Sequence, residues 1–113
     1  MQYMLLIYDH QGQPRSAEEQ GKLYQEYVAF TQGIVKNGNF KSGDPLEPPS
    51  TATTVKVRDG KMLLTDGPFA ETKEQISGYY IVEAKDLDEA AAIASRIPSA
   101  RTGGIEVRPL RKM

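Results

Sequence analysis

The sequence predicts an α+β fold: an antiparallel sheet built as a split βαβ pair, with a β-hairpin inserted between the halves. Three observations predict it. Two apolar runs of strand length, residues 3–8 and 78–84, each precede a segment with helical periodicity. Between them lies a β-branched, alternating stretch folded about Asp59-Gly60, a strong two-residue turn signal. The chain closes on a short alternating segment, Ile105 to Pro109, behind Gly103-Gly104.

The first strand, Tyr3 to Tyr8, is apolar on both faces: Tyr3, Leu5 and Ile7 on one, Met4, Leu6 and Tyr8 on the other. Such a strand belongs in the middle of a sheet. Residues 9–14 are polar and are expected to form a loop. Ser16 and Glu19 have the spacing of a capping box and open a helix. Leu23, Tyr27, Thr31 and Ile34 recur beside Tyr24, Val28 and Val35 as its apolar stripe, and Asn37-Gly38 ends it. Phe40 to Leu46 reads as a short strand, stopped by Pro48-Pro49.

Thr51 to Val57 and Lys61 to Thr65 are the arms of the hairpin. Asp66 to Lys73 is polar and irregular, with Phe69 expected to bury its ring as an anchor. The strand Gly78 to Ala84 is again apolar on both faces. Asp86 caps a second helix with Leu87, Ala90, Ala91, Ala94 and Ile97 on one face, and Pro98 stops it. Without the hairpin this order is ferredoxin-like. Right-handed crossovers put both helices on one side of the sheet. Two two-faced apolar strands then leave an uncovered patch, and pairing of two sheets is the simplest remedy.

Composition narrows the function. The 113 residues suit a single domain, residues 1–113, able to bury about two-thirds of its surface. Fourteen Lys and Arg against fifteen Asp and Glu argue against a general nucleic-acid binder. The absence of cysteine excludes disulfides and thiolate chemistry, and one histidine, His10, excludes a multi-histidine metal cage. No apolar run approaches the ~20 residues of a membrane span. The start lacks the basic region of a signal peptide. A cytoplasmic protein with no metal and no cofactor is expected. None of the P-loop, dinucleotide, nucleophile-elbow or zincin motifs occurs.

The run Thr65-Asp66-Gly67-Pro68-Phe69-Ala70-Glu71-Thr72-Lys73-Glu74, followed by Gly78-Tyr79-Tyr80, resembles the YCII-related family, in the branch named for its Asp-Gly-Pro-Phe (DGPF) tetrapeptide. Tyr3 to Tyr8, Thr51 to Val55 and Ile105 to Pro109 are similar to that family too, so the resemblance covers essentially the whole chain. It implies a ferredoxin-like fold of the dimeric α/β-barrel type, two sheets packed into a pseudo-barrel with clefts. It assigns no reaction. Some members have been linked with acid–base chemistry through a His/Asp pair. Members of the DGPF branch are often encoded beside, or fused to, extracytoplasmic-function sigma factors, which implies a regulatory or sensing role.

Asp66, Glu71 and Lys73 are the candidate catalytic residues. Asp66 ends a strand ahead of Gly67-Pro68, which can aim its carboxylate into a cleft or simply close a turn. Glu71 and Lys73, two apart, would share a side of an extended segment, as a proton-moving pair or a plain exposed ion pair. Tyr8, His10 and Tyr79 are weaker substrate-binding candidates. Asp9 and His10 point opposite ways on an extended chain, so His10 would have to meet Asp66 across the sheet end. Otherwise it is an exposed loop residue, and the tyrosines serve core packing. The expected function is a homodimer that binds a small polar metabolite in a cleft near the DGPF loop, with acid–base catalysis open to it. The alternative is a non-enzymatic ligand-sensing module acting with a sigma factor.

Overall fold

The structure, a computed structural model, describes residues 1–10 and 15–113. In chain order it contains β1 (Gln2–His10), α1 (Ala17–Lys36), β2 (Phe40–Pro45), β3 (Thr53–Arg58), β4 (Lys61–Asp66), β5 (Glu74–Glu83), α2 (Leu87–Ser95) and β6 (Gly104–Pro109). Short 3-10 turns occupy Pro49–Thr51 and Pro98–Arg101. Four strands form an antiparallel sheet in the order β2-β5-β1-β6, the ferredoxin-like arrangement, with β1 and β5 central as their two apolar faces require. Among the described residues no helix is long and apolar enough to cross a membrane.

The alternation on β1 separates two surfaces. Tyr3, Leu5 and Ile7 are buried with Tyr80 and Val82 of β5 and the following Ala84 against Ile34 of α1 and Ala90, Ile93 and Ala94 of α2. Met4, Leu6 and Tyr8 are half-buried on the outer face, beside Ile76, Tyr79 and Ile81. The set left outside the core is therefore Met4, Leu6 and Tyr8. On α2 the buried stripe is Ala90, Ile93, Ala94 and the following Ile97, not the expected set. Leu87, in the first turn, and Ala91 are exposed.

The capping box forms as its spacing predicts: Glu19 N–H donates to Ser16 Oγ and Ser16 N–H to Glu19 Oε1, each at 3.1 Å. The stripe of α1, however, is only half covered. Ile34 is buried and Phe30 meets Tyr80 edge-on at 5.2 Å, whereas Tyr24, Val28 and Val35 stay exposed. The helix is seated on the sheet along one side of its stripe and stands off along the other.

Strand boundaries differ from the sequence reading most at three places. β1 continues through Asp9 and His10, which pair with Gln75 and Glu74. Those two residues are strand, not loop; residues 11–14 of the expected loop lie outside the described residues. β5 starts at Glu74 instead of Gly78. β3 starts at Thr53, because Pro48-Pro49 leads into a 3-10 turn first.

The inserted hairpin forms its own two-stranded sheet, in register Val55↔Leu64 and Val57↔Met62. Asp59 (φ 52°) and Gly60 (φ 75°) both adopt the left-handed conformation that a tight two-residue turn demands. The hairpin packs mainly on itself and projects from the domain as an arm. The radius of gyration is 16.0 Å, against about 13 Å for a compact chain of this length. The molecule is a slab of 48 × 43 × 18 Å.

Gly60→Val should destabilise the turn by more than ~1 kcal/mol, because a β-branched residue opposes positive φ. Since the arm stands apart from the core, the loss should appear as faster hydrogen exchange of arm amides. The main melting transition should barely move. A lowered global melting temperature with unchanged arm exchange would contradict this account.

Candidate functional site

Between α1 and the sheet, where the helix stands off, lies a cavity of about 730 Å³. Its walls are apolar: Leu23, Tyr24, Val28 and Val35 from α1, Phe40 from β2 and Tyr80 from β5. Its polar groups include Asp9 and Ser77, where β1 ends and α1 begins.

Asp9 reaches this place by simple parity. It follows Tyr3, Leu5 and Ile7 at two-residue spacing, so it shares their helix-facing side. Ser77 arrives by an irregularity. Ile7 pairs with Gly78 and Tyr8 with Ile76, which leaves Ser77 as an extra residue in β5. Such a bulge re-aims a side chain, and here Ser77 Oγ donates to Asp9 Oδ2 at 2.7 Å. Ser99, in the 3-10 turn before β6 and only 1% exposed, donates to the same oxygen across 3.4 Å. It also shares a 2.7 Å hydrogen bond with the Tyr27 hydroxyl. With the Ser99 proton directed at Asp9, Tyr27 becomes the donor, and a relay runs Tyr27 to Ser99 to Asp9. The Arg15 guanidinium lies 4.0 Å from Asp9 Oδ1.

Burial pushes the Tyr27 phenol above its ordinary range, and the Asp9 charge adds to the shift. Burial raises Tyr80 likewise, while its hydroxyl bonds Thr31 at 2.7 Å. Both phenols therefore stay protonated at neutral pH. The site brings one carboxylate, two serine hydroxyls and a phenol to the end of an open apolar cleft. Among the described residues no three of His, Asp and Glu gather as metal ligands would.

A scan for family likeness matches the YCII-related domain over residues 1–113. The chain belongs to the YCII-related family. An uncharacterized protein of Rhizobium meliloti (strain 1021) is 35% identical over 114 residues, covering 97% of this chain and 92% of that protein.

In this YCII-related domain the residues singled out from sequence fall in several places. Asp66 ends β4, paired with Thr53 and exposed. Glu71 and Lys73 are exposed in a loop that bends instead of extending, and none of the three lines the cavity. His10 is exposed and pairs with Glu74 in the main sheet, while Asp66 sits in the hairpin sheet, so strand pairing does not join them.

Tyr8 donates to Glu106 Oε1 at 3.3 Å on the outer face; burial first and Glu106 second raise its phenol. Tyr79 borders the cavity at the β2 edge and donates to Asp44 Oδ2 at 3.0 Å, which raises its phenol too. Phe69 is not a buried anchor. It is 80% exposed, with the Lys56 ammonium 5.4 Å from its ring centre, because the arm carries it away from the core. Phe69→Ala should accordingly cost this chain little stability by itself.

Sequence reasoning missed Asp9, Ser77, Ser99 and Tyr27 as a cluster. One signal was present: a carboxylate continuing the buried alternation of β1. The bulge at Ser77 and the approach of Ser99 have no local signature.

Proposed function

We propose that this YCII-related domain binds a small, mainly apolar molecule with a hydrogen-bond-donating head in the cavity beneath α1. The head, a hydroxyl or an amine, faces Asp9. The observation that carries this reading is an open apolar cleft, of a size typical for small-molecule sites, with a carboxylate at its end that accepts hydrogen bonds from Ser77 and Ser99. Binding takes place in a homodimer that pairs the outer sheet faces through Met4, Leu6, Ile76 and Ile81. The support for the pairing is the half-buried apolar character of that face on two central strands.

Thermal-shift screening with aromatic and aliphatic alcohols and amines tests it. A ligand at ~100 times its dissociation constant adds about 2.7 kcal/mol of apparent stability. Asp9→Asn keeps the shape and removes the charge, so it should weaken a hit at least ~10-fold while the protein stays folded. Full affinity in that variant would refute the placement. Loss of binding on Asp66→Asn, Glu71→Ala or Lys73→Ala instead would move the site to the DGPF loop. Turnover of the bound molecule would mark acid–base catalysis; binding without turnover marks a ligand sensor, the form in which a sigma-factor partnership fits.

A further inference from the structure

The β3–β4 arm has two chemically distinct faces. Val55, Val57, Met62 and Leu64 share one, by their pairing and two-residue spacing, and are 56–66% exposed. Lys56, Arg58 and Lys61 share the other with Leu63 and the Thr54–Thr65 pair. Charge on one face guards against indiscriminate stacking, while the apolar face is left to be covered. A two-stranded hairpin in water is marginally stable at best and needs a third layer or strand. Among the described residues none is supplied, since the arm packs mainly on itself.

We infer that the arm is an intersubunit clasp whose apolar face is covered by a second copy of this chain. The inference rests on the homodimer reading above. Shape supports it. A helix layer on a sheet accounts for most of the 18 Å thickness, because packed layers lie about 10 Å apart, so the arm lies in the plane of the slab. Two slabs stacked sheet face to sheet face would lay each arm alongside the other molecule. Area supports it too. Burying a Val, Leu or Met side chain withdraws on the order of 100 Å². At the observed exposures two arms would withdraw roughly 500 Å² of apolar surface, and about twice that with the surface they cover. Added to the sheet faces, this brings the contact to the ~1,200–2,000 Å² of a stable interface. A second copy also meets both uncovered apolar surfaces in a single symmetric contact.

Sedimentation velocity at micromolar concentration on wild type, the double variant Val57→Thr/Leu64→Thr and Leu6→Asp tests the clasp. Threonine keeps strand propensity, so the arm can still form. The expected result is a wild-type dimer, with the dissociation constant raised at least ~10-fold by the double variant and also by Leu6→Asp. A wild-type dimer that the double variant leaves unchanged would overturn the clasp and leave the sheet-face reading standing. A wild-type monomer would overturn both. Because the chain has no native cysteine, Met62→Cys gives an independent measurement. Its alkylation should slow as protein concentration rises through the dimer transition, and a concentration-independent rate would count against the clasp.

Discussion

Replacing Gly103 with alanine should destabilise the protein by about 3 kcal/mol. A Cβ at that position would lie 1.9 Å from the Tyr8 carbonyl oxygen and 3.3 Å from the Asp9 Cα, both parts of the β1 backbone. No rotamer relieves such a clash; the turn before β6 must move away from β1. Gly103 N–H donates to the Ser99 carbonyl at 2.8 Å, so the displacement would also draw Ser99 from Asp9 and Tyr27. Gly104 is the control. An added Cβ there meets nothing within 4 Å, and Gly104→Ala should stay within ~0.5 kcal/mol of wild type. Chemical denaturation of the two variants side by side checks the contrast. Equal stabilities would mean the turn adapts freely.

Leu5→Ala should cost about 3 kcal/mol through lost burial and the cavity left behind. Leu5 is fully buried on β1, between Tyr80 and Val107 on the neighbouring strands. Its neighbour Leu6 faces the other way and is half-buried. The two substitutions delete the same atoms from opposite faces, so they separate core from surface. The Leu5→Ala penalty should be the same in dilute and concentrated protein. The Leu6→Ala penalty should act mainly through association and make the melting temperature concentration-dependent in a different way from wild type. Identical behaviour of the two variants at all concentrations would contradict the division of β1 into a core face and the proposed partner face.

Features that depend on a few consecutive residues were legible in the sequence. The capping box at Ser16 and Glu19, the turn at Asp59-Gly60 and the two-faced strands are written in local composition. Which apolar residues end up covered depends on distant surfaces. Phe69 in a polar run reads as an anchor, yet the arm places it in solvent. The α1 stripe is plain from its spacing, but its half-seated position, and hence the cavity, follows from how deeply Phe30 and Ile34 pack. Asp9 carried a readable sign, its place in the alternation of β1, obscured once the strand is taken to end at Tyr8. Ser77 and Ser99 join it only through strand pairing and a turn some ninety residues further along the chain.

The extra residue in β5 makes that strand intolerant of gaps. Glu74, Gln75 and Ile76 are one step out of phase with Gly78 to Glu83, and Ser77 absorbs the difference. Losing one residue there would restore regular alternation and remove the hydroxyl that meets Asp9. An insertion further into the strand would turn Tyr80 or Val82 outward. The bend from Gly67 to Lys73, held by Gln75 Nε2 donating to the Ala70 carbonyl, has no such phase to keep. Aligned relatives should therefore keep Glu74 to Glu83 at constant length, with length changes falling outside the strand.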